Sequence, residues 1–312
     1  MASYLLRRLG ASVVTLAGIS VLIFAMRQVI YPLPGRDVLG PWAGTAQVAA
    51  WNRDHGYTGP VPVQYWHYLA GLLHGNIGYS DKLNQSIATL FEQRWPRSLY
   101  LSGAALLLAV LITIPFGIYQ AVRRNRADDH AATGVALTVY SAPDFLLYLL
   151  VIQIFAFTLR VFGFRASQST SLLRVIADWR HMALPIACFA VAIAAGLSRY
   201  MRSAVADALS QDHVTAIRGT GLPERRVPVR HLLRNACLLM ITLTGLLIPA
   251  LLAGDLVAET AFNYGGLGLL FFASLENADY PVLLAYTLAA AVLTVLGSLL
   301  ADIALLIADH RV

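Results

Sequence analysis

Six stretches of this chain are almost free of charge: Leu9–Met26, Ser98–Val122, Ala131–Leu159, Met182–Ser198, Ala236–Gly254 and Pro281–Ala301. A hydrocarbon core about 30 Å thick takes about 20 apolar residues in helical form. Met182–Ser198 is short for that, and His181 with its long neighbours extends it to the interface. Only helices and closed barrels satisfy the backbone in lipid. The pattern therefore predicts an all-α polytopic membrane protein with six transmembrane helices.

Two polar stretches interrupt the pattern. Residues 32–96 form a long insertion whose charges balance, Arg36, Arg53, Lys82 and Arg94 against Asp37, Asp54, Asp81 and Glu92. It is rich in Trp, Tyr, Gly and Pro, which predicts a small folded cap with aromatics at the interface. The second stretch, Asp207–Arg234, is a basic island between two apolar runs. It cannot lie in hydrocarbon, so it belongs at a membrane face. Val205–Arg218 fits a short amphipathic helix. Gly219 and Gly221 suit its end, and Pro223 and Pro228 prevent continuation. Arg225, Arg226, Arg230 and Arg234 then lead into the next span. Two readings stay open, an ordinary basic loop and a docking element. The chain divides into residues 1–31 (tail and first helix), the insertion 32–96, and a core 97–312 that contains the loop 203–234.

Composition narrows the class. The chain is 58% hydrophobic and 13% charged, against about 25% charged in ordinary soluble domains. The net charge of +6 comes from arginines beside the spans rather than on one face, so no nucleic-acid partner is expected. Cys188 and Cys237 lie in or beside apolar runs, and the eight histidines are scattered without ligand spacing. No metal site or disulfide framework is expected. The chain lacks a Gly-x-x-x-x-Gly-Lys-Ser/Thr loop and a His-Glu-x-x-His pair, so no nucleotide cradle or zinc-protease site is expected. Arg7 and Arg8 before a long apolar run predict an uncleaved first span. With Arg123, Arg124, Arg126 and Arg311, they bias both termini to the cytoplasm.

Polar residues inside the spans are the candidate chemistry. Ser141-Ala142-Pro143-Asp144-Phe145 interrupts the third run, where proline kinks a helix. A carboxylate at membrane depth, Asp144, is a functional candidate, and so is Asp255 after the fifth run. An intramembrane aspartyl protease would use such a pair, but Leu252 stands where its motif needs glycine. A proton-coupled carrier using Asp144, Asp255 and Asp302 is a further reading, although no internal repeat supports it. A membrane scaffold without transport activity is the remaining alternative.

One resemblance covers nearly the whole chain. The pattern Arg199-Tyr-Met-Arg-Ser, Gln211-Asp212-His213-Val214, Arg218-Gly219-Thr220-Gly221-Leu222-Pro223-Glu224-Arg225-Arg226-Val227 and Arg230-His231-Leu232-Leu233-Arg234-Asn235-Ala236 resembles the cytoplasmic signature of binding-protein-dependent ABC permeases. The most similar branch is the B-type subunit of dipeptide and oligopeptide importers. Gly56-Tyr57, Pro62-Val63-Gln64-Tyr65 and Gly75–Ser80 look like that subunit's insertion. Glu259-Thr260-Ala261-Phe262 followed by Tyr264-Gly265-Gly266-Leu267-Gly268 is similar to its run after the fifth span. Departures are Thr215-Ala216-Ile217, Leu239, Asn76, Asp144 and Gly265.

The resemblance implies a type I importer permease without covalent chemistry of its own, in a bacterial inner membrane. It implies a coupling loop built on Asp212, Ala216, Arg218, Gly219, Gly221, Leu222, Pro223, Arg225 and Arg226. Pathway candidates are Ser141, Pro143, Asp144 and Asp255. The implied partners are a homologous second permease, two cytoplasmic ATPase subunits that carry ATP and Mg, and an external substrate-binding protein. No cofactor is expected on this chain. Short peptides are the implied cargo, with nickel, haem or another solute as alternatives within the family.

Overall fold

The computed structural model describes residues 2–30, 32–210, 240, 243–245, 247 and 254–308. Four described helices are long and apolar enough to cross a membrane. They lie in α1 (Ala2–Ile30), α5 (Ile87–Val122), α9 (Trp179–Leu209) and α12 (Tyr280–Ala308). They contain the first, second, fourth and sixth apolar runs. Most of the fifth run, Ala236–Gly254, lies outside the described residues, and Met240, Leu243 and Leu247 from it pack against α5 and α9.

The third run departs from a single kinked span. It forms α6 (Ala127–Ser141) and α7 (Asp144–Ile152), which continues into a π-helical turn, Gln153–Thr158, and the short α8 (Leu172–Ala177) then precedes α9. The axes of the two halves differ by 106°. Proline disfavours helix at the residue before it, and Ala142 is extended at φ −72°, ψ 140°. The chain therefore leaves α6 at Ser141 and restarts after Pro143.

Helices α5 and α9 form the central pair. Ala105 and Ala109 of α5 pack with Ala190 and Ala194 of α9. Leu101 meets Met182 and Leu184 in one cluster, and Ala121 meets Leu197, Met201 and Val205 in another. The order is the same on both helices, so they run parallel. Small side chains allow such close approach between membrane helices. The tightest place is Gly117, where an added Cβ would lie 2.5 Å from Met201 Cγ. Helix α5 has 36 residues, about 54 Å of helix, so part of it lies beyond the hydrocarbon core. Ile87–Pro96 is that part, because the apolar run begins at Ser98.

The insertion folds as α2 (Gly35–Leu39), α3 (Thr45–Asp54), α4 (Val61–Leu73) and a hairpin of β1 (Tyr79–Ser80) and β2 (Gln85–Ser86). Buried Asn52 accepts a hydrogen bond from Gly35 N at 2.9 Å and ties α2 to α3. Gln64 donates to the carbonyls of Tyr57 and Gly59 and accepts from Gln28 of α1. Ser20 and Tyr65 share a hydrogen bond of 2.8 Å, and Phe24 packs on the Tyr65 and Tyr68 rings. The hairpin is fixed to the start of α12 by Ser80 Oγ, which donates to buried Asp279 at 2.5 Å. Tyr57, Tyr65 and Tyr68 thus join the cap to α1, whereas Trp42 and Trp66 are exposed.

Of the expected amphipathic helix over Val205–Arg218, the described part, Val205–Leu209, continues α9. Its buried faces pack with the α5–α9 core.

Candidate functional site

Two polar assemblies sit at opposite ends of the α5–α9 pair. The first lies at the insertion end. Gly254, at φ 87°, adopts the left-handed backbone that glycine takes without a Cβ penalty. Asp255 then caps α10 (Leu256–Ala261), its Oδ1 accepting from Val257 N at 2.9 Å and Ala258 N at 3.2 Å. Side-chain oxygens at this position satisfy amides that no helical carbonyl reaches. Its Oδ2 accepts from Tyr148 Oη at 3.1 Å, which joins α10 to α7. Burial raises the Asp255 carboxyl above the usual carboxylate range.

Glu259 is fully buried one turn later. Its Oε1 accepts from Ser98 Oγ at 2.6 Å, and its Oε2 accepts from Gly268 N at 2.7 Å and Leu269 N at 3.1 Å. Ser98 Oγ also accepts from Leu267 N at 2.8 Å. Arg97 donates to Gly265 O, and Tyr264 donates back to Arg97 O. One carboxylate and one hydroxyl thus hold α5, α10 and α11 (Leu267–Glu276) together. The glycines of the run have a steric reason. A Cβ on Gly266 would lie 2.4 Å from both Glu259 Oε2 and Ser98 Oγ, and one on Gly268 would lie 2.9 Å from Leu256 Cα. Burial pushes the Glu259 carboxyl up to about 7, against the lowering effect of its hydrogen bonds.

Asp144 opens α7 at the helix break and is exposed, as are Ser141 and Pro143. It lies one turn before Tyr148, on the same face. The structure therefore brings Asp144 and Asp255 into one neighbourhood with Tyr148 between them. Asp255 is engaged as a helix cap as well.

The second assembly lies at the other end of the pair. Asp129 of α6 is buried and receives Arg202 of α9 in a bidentate pair, Nε at 2.8 Å and Nη2 at 2.7 Å. Asn125 N donates to the same carboxylate at 3.0 Å, which fixes the α5–α6 turn. Gln120 donates to Thr133 Oγ1 nearby. Arg202 is in the last turns of α9, next to the basic island. The coupling residues Asp212, Ala216, Arg218, Gly219, Gly221, Leu222, Pro223, Arg225 and Arg226 lie outside the described residues.

Sequence reasoning passed over Ser98, Tyr148, Asp129 and Arg202 as site residues, and quoted Glu259 only within a motif. Arg202 carried a signal, since it belongs to the Arg199-Tyr-Met-Arg-Ser step. An acidic residue in the first turn of a membrane helix was the signal at Asp129. Ser98 and Tyr148 carried none that local pattern could expose.

Long apolar helices, with a buried polar knot at one end of the central pair and a buried ion pair at the other, define a helical membrane protein. The comparisons define which. Residues 113–312 match the family of binding-protein-dependent transport system inner membrane components, and residues 1–102 match the N-terminal region of such membrane components. The chain belongs to this family, the permeases of ABC importers. Over 314 residues it is 34% identical to the oligopeptide transport system permease protein AppB of Bacillus subtilis, covering 100% of this chain and 99% of the relative. It is 33% identical over 321 residues to a putative peptide permease protein of Brucella ovis, covering 100% and 99%. It is 34% identical over 304 residues to the glutathione transport system permease protein GsiC of Salmonella choleraesuis, covering 97% and 96%. Membership makes the chain a transporter component and implies ATPase and substrate-binding partners.

Proposed function

We propose that this chain is one of two permease subunits in a bacterial inner-membrane ABC importer for short peptides. The observation that carries this reading is end-to-end similarity to an oligopeptide permease, at 34% identity over the whole chain. Glutathione, the cargo named for another relative, is itself a short peptide and fits the same class.

In this reading the chain crosses the membrane six times, with both termini cytoplasmic and residues 32–96 outside. The span over 236–254 completes the count. A homologous second permease forms the other half of the pathway. Two ATPase subunits bind ATP and Mg, dock at the loop 203–234, and leave this chain without a cofactor. An external binding protein delivers substrate to the insertion end, where Asp144 and the break at Ser141–Pro143 face the pathway.

The test is uptake by the reconstituted complex. Vesicles holding the two permeases and the ATPases should accumulate labelled di- or tripeptide only with ATP and the loaded binding protein. Peptide-independent ATP hydrolysis together with absent uptake across a peptide panel would reject the cargo. A cysteine at Lys82 should react with a membrane-impermeant maleimide in intact cells whose outer envelope admits it. Labelling only after inner-membrane lysis would reverse the orientation.

A further inference from the structure

Two cavities, one of mixed lining and one almost wholly apolar, adjoin each other beside α1. The first, about 720 Å³, lies between the insertion and the first turns of α12. Arg27, near the insertion end of α1, lines it. Its guanidinium carbon is 4.7 Å from the centroid of the Tyr57 ring and 5.9 Å from that of Phe24. Tyr57 stacks on Trp51 at 5.7 Å, and Trp51 stacks on His55 at 3.9 Å. Asp81, in the turn between β1 and β2, lines the same cavity, and among the described residues no carboxylate forms an ion pair with Arg27.

The second cavity, about 950 Å³, is a trough between α1, α4 and α12. Val13 and Ala17 line one side, Ala289 and Leu293 the other. The two cavities share a wall of Leu72, Ile77, Ala285 and Leu288.

We propose that the pair is a binding site for one phospholipid from the leaflet on the insertion side. Its phosphodiester would sit against Arg27 and an acyl chain would fill the trough. Three observations favour this occupant. A guanidinium matches phosphate oxygens in a two-pronged, charge-assisted way, and the cation stands at the polar end of the combined site. The trough follows α12 from Ala285 to Leu293, about 12 Å of helix, close to the roughly 15 Å that half a hydrocarbon core provides. Exposed Trp66 and Trp95 also line the trough, and tryptophan favours the membrane interface. A helix of the second permease would fill the trough but bring no anion to Arg27. Free phosphate would satisfy Arg27 but leave the trough empty.

The test uses the whole importer complex in phospholipid-free detergent micelles with a trace of phosphatidylglycerol carrying a diazirine on its acyl chain. Photolabelling should concentrate on residues 13–20 and 285–293 of this chain. Excess unlabelled phosphatidylglycerol should abolish it, whereas inorganic phosphate should not. Arg27→Gln should reduce labelling about tenfold, the value of one lost charge-assisted pair. Ala17→Phe, which fills the trough from an exposed position, should block the trough labelling while leaving the complex assembled. Labelling that ignores both substitutions would overturn the proposal. So would competition by inorganic phosphate, or efficient crosslinking of a photoreactive residue at position 17 to the second permease instead of lipid.

Discussion

Removing Arg202 should cost more than neutralising Asp129, although the two residues form one ion pair. The asymmetry follows from exposure. The Asp129 side chain is 0% exposed and that of Arg202 is 27% exposed. Arg202→Ala strips two donors from a carboxylate without solvent contact, leaving Asn125 N at 3.0 Å and a long contact from Thr133 at 3.4 Å. Stranding one partner of a fully buried pair costs about 3–5 kcal/mol. Water can enter the space the arginine vacates, which lowers the expected loss to about 2–3 kcal/mol. Asp129→Asn keeps the size and one acceptor, and strands the partner that water already reaches. Its expected cost is about 1–2 kcal/mol.

The assay is thermal unfolding of the purified complex, followed by intrinsic fluorescence. At about 2–4 °C per kcal/mol for larger domains, the midpoint should fall by about 4–12 °C for Arg202→Ala and by about 2–8 °C for Asp129→Asn. The double variant should lose less than the sum, because the second change removes a group already stranded. An unchanged midpoint in Arg202→Ala would refute the reasoning, and so would a larger loss in Asp129→Asn.

Gly266→Ala should destabilise by about 2–4 kcal/mol, because its Cβ would intrude between Glu259 and Ser98 and displace their hydrogen bond. Gly265→Ala should cost far less, since its Cβ would meet only the Arg97 Nη1 at 2.6 Å, the mobile end of a long side chain. Equal midpoints for the two variants would contradict the packing argument. Glu259 has a folded-state value raised from 4.5 to about 7, so the folded state holds its proton over a range where the unfolded chain has lost it. Its stabilising contribution should be complete below about pH 4.5 and lost as pH rises to about 7, and Glu259→Gln should remove that component from the pH dependence of the midpoint. If the loop 203–234 has the proposed coupling role, Gly221→Val should leave the spans inserted yet abolish uptake and the ATPase response to loaded binding protein, since a β-branched side chain is poorly tolerated where glycine is needed. Wild-type uptake and wild-type stimulation in that variant would remove the loop from the coupling role.

The spans were legible because the hydrocarbon core imposes one simple demand, a long charge-free run. Leu9–Met26, Ser98–Val122, Met182–Ser198 and Pro281–Ala301 all lie within long helices. The helix ends were less legible, because α5 and α9 continue into water, where hydropathy no longer marks them. Pro143 announced a disturbance but not its size. A proline kink and a 106° break carry the same local signature, and the surrounding packing selects between them. Asp144 and Asp255 were legible as costly carboxylates. That Asp255 caps α10 and receives Tyr148 was not, because the partner is 107 residues away. Asp129 and Arg202 are 73 residues apart and were missed for the same reason. The glycines at 266 and 268 could be quoted as a motif, but their cause is the buried carboxylate beneath them.

These missed residues share a position that membrane physics explains. Inside the hydrocarbon, lipid tails are as apolar as leucine, so burial alone does little to favour one helix register over another. The α5–α9 seam brings small residues close along its length, and its register needs fixing by contacts that lipid cannot imitate. Gly117 against Met201 supplies a steric one. The polar assemblies supply the others, Ser98 with Glu259 at one end and Arg202 with Asp129 at the other. Each ties the pair to a further element, α10 and α11 in the first case and α6 in the second. The parallel pair is thus fixed at both ends. Contacts of this kind, rather than any single side chain, hold the pair in register along its length.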